Sequence, residues 1–390
     1  MSGTQGEIAI VGGGIGGLTL ALGLARAGEK PVVYEQAIEH SEVGAGISLA
    51  PNAVKGLRFL GVEPAIVELA DEPMEQYTRH YQTGQPLVTI DRHNTASQFG
   101  ASYLQMHRAD LQAILLDALK AHAPDCVRLG HRLADISQSG DGVTLSFEER
   151  APVDAALVVA SDGLRSVTRG QVFGELGANY SGIVAWRGLI PTERLAGCDL
   201  LPESNVFVGP DRIFVRYPVR KGQIQNCVAF TRESEWQAEG WMEKGDLSEL
   251  RAAFADFHPD VTQVLDSFLQ EECFRWGLFE RQPLPRWVDG RVAVLGDAAH
   301  PMLPWFGLGA ATAIEDAVIL ARALTEFASL DEALQRYQAA RYERVTEIHR
   351  ESLAGGERLM TAHKTLYKSE PVVTEDTLGM TLYDPGTVAL

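Results

Sequence analysis

Three stretches of this sequence set glycines and acids where an α/β sheet ends. In EIAIVGGGIGGLTLALGLARAGEKPVVYEQA (7–37), glycines stand at 12, 14 and 17, the spacing GxGxxG, and Glu35 follows. The chemistry is anion binding. The first glycine permits a tight turn, the second lets the backbone approach a pyrophosphate, and the third lets helix and strand pack closely. Free N–H groups of the next helix, near Ile15 and Gly16, would face the phosphates. Glu35, with Gln36 beside it, stands in the zone that accepts hydrogen bonds from a ribose. An acid there suits a ribose without a 2′-phosphate, hence FAD or NAD. ALVVASDGLRSVTR (156–169) places Asp162 before Gly163, and RVAVLGDAAHP (291–301) places Asp297 after Gly296. A carboxylate at a strand tip can accept bonds from hydroxyls, such as those of a ribityl chain; a lone Asp-Gly is otherwise a plain turn.

These residues need elements to hold them. Ile8 to Val11, Pro31 to Tyr34 and Leu157 to Ala160 read as short strands buried on both faces. A helix is expected from about Gly16 to Ala27, and others from Ala310 to Phe327 and from Leu330 to about Met360. In the last, Leu334, Tyr337, Ala340, Arg341 and Val345 recur at helical spacing, which suits a packed scaffold face or a dimer contact. Between the second and third motifs the pattern changes. VAWRGLIP (184–191), NVFVGP, RIFVRYPV and QNCVAFTR read as short strands split by turns, with a helix-rich stretch from Leu247 to Gln270. The expected architecture is α/β: a Rossmann-like dinucleotide-binding domain over 1–180 and 285–390, with C-terminal helices. An antiparallel-sheet substrate domain over 181–284 is inserted into it, and 73–100 is a candidate contributor.

Composition narrows the function. A net charge of −18 disfavours nucleic acid and anionic membranes, which need clustered Lys and Arg. Four cysteines without CxxC spacing and ten scattered histidines give no disulfide framework and no metal site. No secretory signal pattern is visible and no apolar run is long enough to span a bilayer, so a cytoplasmic location is expected.

Together the three motifs resemble the group A flavoprotein aromatic hydroxylases, single-component FAD monooxygenases whose third motif runs GDAAHxxxPxxGxG. Here it reads GDAAHPMLPWFGLG, from Gly296 to Gly309. GAGISLAPNAVKGLRFLG (44–61) resembles the segment that family places beside the flavin. HRADLQAILLDAL (107–119) resembles the helix whose leading arginine, here Arg108, reaches FAD. The likeness spans nearly the whole chain and is greatest for the salicylate and 6-hydroxynicotinate hydroxylase branch, to which the tail LYDPGTVAL is also similar. The resemblance implies FAD as cofactor, NADH or NADPH as transient co-substrate, and O2 added at flavin C4a as the hydroperoxide that hydroxylates a phenolic or hydroxylated heteroaromatic substrate. It implies that Asp297 binds the ribityl chain and that Pro304 lies against the isoalloxazine. Gly307, Gly309, Ala310 and Ala311 then bring backbone N–H groups to the flavin N1–C2=O edge, where the reduced ring is anionic.

Substrate-side candidates are Tyr217, which matches an active-site tyrosine of relatives, and Ser48, Trp305 and Pro304; Arg187 is a further candidate at the flavin or the lid. Tyr217 and Trp305 fit ordinary packing as well, and His300 suits a structural role better than that of a base. The sequence departs from relatives at Leu308, where many carry Gln, and at Ser48 and Trp305, where the hydroxynicotinate type carries His. Partners are then a small aromatic and O2, with the protein a monomer or homodimer. Rival readings are an FAD epoxidase or halogenase and a non-catalytic flavin-binding module. AWRGLIP matches a halogenase WxWxIP pattern at Trp186, Ile190 and Pro191, but Gly188 occupies the place of the second tryptophan.

Overall fold

The structure is a computed structural model that describes residues 6–39, 45–140, 142–174, 177–236, 243–360 and 373–390. Gly44, at the head of the flavin-side segment, lies outside them. A six-stranded sheet carries the first three motifs. Its order is Val288–Asp289, Val292–Val294, Leu157–Ala160, Ile8–Val11, Pro31–Tyr34, Val127–Arg128. All neighbours are parallel except the outermost pair, Val288–Asp289 with Val292–Val294.

The alternation of strand side chains divides this sheet between two cores. Ile8, Ile10, Leu157, Val159 and Ala293 pack on one face among the helices Ile15–Arg26, Arg108–His122 and Gly309–Glu326. Ala9, Val11, Val158 and Val292 pack on the other against Leu133, Ile136, Val143 and Leu145. Those four come from a small antiparallel sheet, Leu133–Ser139, Gly142–Phe147 and Val153–Ala155. Both faces being covered explains why these strands are continuous apolar runs.

A second sheet of eight strands runs Glu243–Lys244, Phe274–Glu280, Asn179–Pro191, Ile224–Arg232, Arg212–Val219, Ser204–Gly209, Glu75–His80, Pro86–Asp91. The hairpin 75–91 joins it by a parallel pairing of Glu75–His80 with Ser204–Gly209. Val184, Trp186, Ile190, Phe207, Phe214, Cys227 and Ala229 bury one face against Leu250, Phe254, Val261 and Leu265. These belong to or adjoin two helices, Leu247–Ala253 and Pro259–Asp266. The single helical stretch read from the sequence breaks there because Pro259 opens a new helix and cannot continue the old one.

The 31-residue helix Leu330–Met360 lies along Gly309–Glu326. Its stripe of Leu334, Tyr337, Arg341 and Val345 is buried at 1% exposure or less, and the Tyr337 hydroxyl donates to the Val294 carbonyl at 2.8 Å. That face is spent inside the chain and is not free for a dimer. A buried polar cluster clamps the two helices. Arg341 Nε donates to Asp316 Oδ1 at 2.8 Å, Arg341 also pairs with Glu315 at 2.6 Å, and Arg344 pairs with Glu315 at 2.8 Å. Asn52 donates to Glu315 at 2.6 Å. Burying ions is costly unless every charge is answered, as these are.

Among the described residues no helix is long and apolar enough to cross a membrane. None of the described His, Cys, Asp and Glu residues cluster in a way that could hold a metal.

Candidate active site

A cavity of about 1080 Å³ separates the C-terminal ends of the parallel strands from the open face of the eight-stranded sheet. Its two ends differ in chemistry. One is lined by Gly14, Ile15, Gly16, Arg108, Ser161, Gly163, Gly296, Asp297, Gly309 and Ala310, nearly all backbone from strand tips and helix starts. The glycine loop is compact below and open above. A Cβ on Gly12, whose φ is +102°, would stand 2.4 Å from the Ser161 carbonyl oxygen, and one on Gly17 2.0 Å from that of Gly12. At Gly14 no atom lies within 4 Å of the same point. Neither Ile15–Arg26 nor Gly309–Glu326 has a side-chain cap or an acid in its first turn. Both present bare N–H groups and the positive end of the helix dipole.

Asp297 is enclosed by protein yet opens onto the cavity, and burial raises its pKa, against the pull of His300 and Arg108. A desolvated carboxylate facing a cavity calls for hydroxyl donors. Arg108 begins its helix, donates its backbone N–H to Ala45, and turns its side chain to the same wall.

The other predicted cofactor residues lie behind this wall. Gly12 and Gly17 shape the loop. Glu35 accepts the Gly13 N–H at 2.7 Å and the Ala37 N–H at 2.8 Å, and each carboxylate oxygen keeps a further lone pair. Gln36 is exposed and accepts from Arg132 at 2.7 Å. Asp162 sits beneath Ser161 and Gly163, its pKa raised by burial, with Oδ2 accepting from the Thr168 N–H and hydroxyl at 3.3 Å and Oδ1 lacking a partner. Ala311 is fully buried.

The cradle at Gly14, two uncapped helix starts, the orphaned oxygen of Asp162 and the desolvated Asp297 fit a flavin dinucleotide: phosphates at the first helix, polyol at Asp297, and a ring system whose charge can meet Gly309 and Ala310.

The far end is the cavity face of the eight-stranded sheet. Ala185, Arg187, Leu189, Ile213, Val215, Tyr217, Asn226, Val228 and Phe230 alternate along three adjacent strands and line it. Trp305 completes the wall. Its ring lies 5.2 Å from that of Phe230 and against Gly356, where a Cβ would meet the indole at 2.2 Å. It is therefore both packing residue and pocket wall. Pro304 and Gly307 line the same region, and Leu308 does not: it is buried in the core, where an apolar residue belongs.

Ser48 shares this wall with Tyr217 and Tyr103, the only phenols on it among the described residues. Burial pushes the pKa of Tyr103 up to about 12 and that of Tyr217 higher still, outweighing Arg187 nearby. Both stay protonated at neutral pH. Gly46 backs this cluster, donating its N–H to Asn226 at 2.7 Å.

Sequence reading missed Tyr103, Asn226, Gln76, Thr78 and the C-terminal Thr374 and Glu375, all on the wall. The alternation of Gln76 and Thr78 in EQYTRH was a usable signal. Nothing local marks Tyr103. Arg169, the last residue of the second motif's stretch, is fully buried and donates to the carbonyls of Ala298, Ala299 and Gln282 at 3.2, 3.0 and 2.7 Å, tying the second motif to the third. His300 is structural: its Nε2 meets Asp316 at 2.5 Å, away from the cavity. Gly188 answers the halogenase pattern. A Cβ there would stand 2.2 Å from Phe268, so a tryptophan has no room.

Comparison with known proteins gives the same picture. A family model described as FAD binding domain matches residues 5–352. The chain is 36% identical over 359 residues to a 3-amino-4-hydroxybenzoate 2-monooxygenase of Streptomyces platensis, covering 91% of this chain and 89% of that one. It is 37% identical over 351 residues to a 6-hydroxynicotinate 3-monooxygenase of Pseudomonas fluorescens, covering 88% and 89%. The crystal structure of Klebsiella pneumoniae HpxO complexed with FAD and uric acid superposes with a TM-score of 0.83 at 28% identity, over 97% of this chain and 96% of that one. With the fold, the flavin-shaped cradle and these relatives in agreement, the chain belongs to the group A FAD-dependent aromatic hydroxylases.

Proposed function

We propose that the chain hydroxylates a phenolic or otherwise hydroxylated aromatic or heteroaromatic ring, with NADH or NADPH as transient reductant and O2 as oxidant. The observation that carries this reading is that Tyr217, Ser48 and Tyr103 line one largely apolar chamber that also holds Asp297 and Gly309. Bound FAD, reduced by the nicotinamide, supplies the activated oxygen atom. The chain's own work is to bind, orient and exclude water. Arg108, Asp297, Gly12, Gly14, Ile15, Gly16 and Gly17 hold the dinucleotide, with Glu35 and Gln36 at its adenosine end and Asp162 under the pyrophosphate loop. Pro304, Gly307, Gly309, Ala310 and Ala311 shape the flavin face, and the N-terminus of Gly309–Glu326 stabilises negative charge there.

A ring hydroxyl makes its substrate a stronger nucleophile as a phenolate. Tyr217 and Ser48 are placed to hydrogen-bond that oxygen, and the raised pKa of Tyr217 keeps it a neutral donor to an anion. Trp305 and Phe230 give the chamber an aromatic wall against which a substrate ring can pack.

The same reading divides the chain into a discontinuous cofactor unit, 1–180 and 285–390, and a substrate unit, 181–284, to which 73–100 contributes a hairpin. Free thiols at Cys126, Cys198, Cys227 and Cys273 fit a reducing cytoplasm, and the protein acts as a monomer or homodimer. The test is to load purified protein with FAD and screen hydroxybenzoates, hydroxypyridine carboxylates and phenols for accelerated NAD(P)H oxidation. Label from 18O2 is then sought in the product. Tyr217→Phe is expected to slow coupled turnover while retaining FAD. Absence of labelled product from every ring tested, with reductant lost only to peroxide, defeats the reading.

A further inference from the structure

The eight-stranded sheet ends at Pro86–Asp91, and the residue after that strand is a buried cation. Arg92 is 2% exposed and set back from the cavity. It stands behind three residues that line it. Its Nη2 donates to Glu375 Oε1 at 2.6 Å and to Gln76 Oε1 at 3.2 Å, and its guanidinium carbon lies 3.9 Å from the centroid of the Tyr103 ring. Its Nη1 donates to Asp376 Oδ2 at 2.6 Å. Two carboxylates on one guanidinium fork, with an aromatic ring under its plane, hold the arginine in one orientation. Three parts of the chain far apart in sequence meet there: the edge hairpin, the segment ahead of Leu104–His107, and the stretch from residue 373 onward.

What this arginine holds is a wall. Val373, Thr374 and Glu375 line the chamber, at the edge where the sheet has no further strand. The stretch is folded on itself. The Thr374 N–H donates to the Thr377 hydroxyl at 2.8 Å, and the N–H groups of Leu378 and Met380 donate to the carbonyls of Thr374 and Glu375 at 3.1 and 2.9 Å. Those bonds give it shape but not place. The chain beyond is seated separately: Arg344 donates to the Met380 carbonyl at 2.8 Å, Lys55 to that of Leu382 at 3.0 Å, and Arg322 to those of Pro385 and Val388 at 2.9 and 2.8 Å. Among the described residues, the ion pairs of Glu375 and Asp376 both run to Arg92. Without that cation two sequestered carboxylates would lack a counter-charge and would turn toward water, while the tail past Met380 stayed in place.

We propose that residues 373–376 close the chamber at the edge of the sheet, and that Arg92 is the positioning residue that holds this wall shut against water. The consequence rests on the hydroxylase reading. An oxygenating chamber must keep water out. With the wall open, NAD(P)H and a proton reduce O2 to H2O2, and no oxygen atom passes to the ring.

The test reads closure first. Acrylamide, a small neutral quencher, is titrated against the flavin fluorescence of FAD-loaded wild type, Arg92→Met, Arg92→Lys and Asp376→Asn. The wild type should be quenched far less than free FAD. Arg92→Met should raise the quenching constant about 3-fold or more, with FAD affinity within about twofold, because the wall opens locally while the fold stays intact. Arg92→Lys keeps the charge but not the fork and should recover part of the closure. Asp376 does not line the cavity, so a smaller rise in Asp376→Asn reports the latch alone. Product per NAD(P)H oxidised, with 6-hydroxynicotinate and salicylate as probes, should fall about 3-fold in Arg92→Met as peroxide rises. A wild type quenched as freely as free FAD overturns the proposal. So does an Arg92→Met protein that melts lower with quenching unchanged, since the arginine would then serve stability only. Should Arg92→Met fail to fold, an Asp376→Asn protein quenched like the wild type overturns it equally. Quenching that rises while product per reductant holds constant removes the role in water exclusion. Closure that is lost on substitution, in a protein that oxygenates no ring, upholds the wall and overturns the hydroxylase reading.

Discussion

Gly46→Ala tests the placement of Tyr217 without removing any functional group. Gly46 lies in the short strand Gly46–Leu49, outside the left-handed region of backbone space, so alanine brings no backbone strain. Its Cβ would stand 2.6 Å from Tyr217 Cε2, 2.7 Å from Tyr217 Oη and 2.6 Å from Asn226 Cγ. Carbon atoms pack comfortably at about 3.5 Å and beyond, so the ring and the amide must each retreat by about 0.9 Å. Neither moves cheaply. Asn226 is fully buried and accepts the Gly46 N–H, and Tyr217 is only 8% exposed. Overpacking of this kind costs about 1–3 kcal/mol, which the fold should survive. The larger consequence is functional. A shift approaching 1 Å in a positioning group can cost about 100-fold in rate. The Gly46→Ala protein should keep its FAD and melt a few degrees lower. Its coupled hydroxylation should fall by one to two orders of magnitude, with more reductant diverted to peroxide. Coupled turnover within twofold of wild type would refute the claim that Tyr217 acts from where it stands.

Two further substitutions separate binding from folding. Gly14→Ala adds a methyl group where nothing lies within 4 Å, so stability should match the wild type while FAD affinity drops at least 10-fold, because the methyl occupies the pyrophosphate's approach; unchanged flavin affinity by fluorescence titration would argue against the cradle. For Asp316, burial alone would raise its pKa, but His300 and Arg341 outweigh it and hold the carboxyl at about 2. A depressed pKa stabilises the fold above the unfolded value near 4, and the contribution is lost as pH falls toward 2; it amounts to about 2 kcal/mol. Asp316→Asn should cost about 3–5 kcal/mol by stranding Arg341 and His300 and should flatten the fall in urea-unfolding stability between pH 4 and pH 2. An unaltered slope would assign acid sensitivity elsewhere.

The two ends of the cavity differ in how far the sequence discloses them. The cofactor end is built from local units. Gly12, Gly14 and Gly17 act within one strand–turn–helix, and Asp297 and Gly309 within one loop, so spacing along the chain is nearly spacing in space. Those residues are legible in the chain for that reason. The substrate end is assembled by register. Arg187, Val228 and Val215 share a row only because three strands pair in one alignment, and a one-residue slip would turn each side chain to the opposite core. Tyr103 and Thr374 reach the wall from segments that no periodicity links to it. The tertiary face also decided Leu308: a residue read as a missing polar group beside the flavin turns into the core, where its apolarity is required.

The charge of the site shows why whole-chain composition could exclude partners but not choose a ligand. The protein carries −18 overall, a field that repels anions at long range. Within the cavity the balance shifts, because two of its four acids are paired with arginines. Glu272 pairs with Arg194 at 2.7 Å and Glu375 with Arg92 at 2.6 Å. Arg108 and Arg187 make no ion pair with a described residue, and the bare N–H groups at Ile15 and Gly309 add positive ends of helix dipoles. The surface field is screened within about 10 Å at ordinary salt, whereas charges inside a water-poor chamber are not. An acidic protein can therefore capture an anionic dinucleotide and an anionic ring once each has entered. Added salt should consequently speed association of an anionic substrate with this chain, by screening the outer field, while leaving its dissociation nearly unchanged.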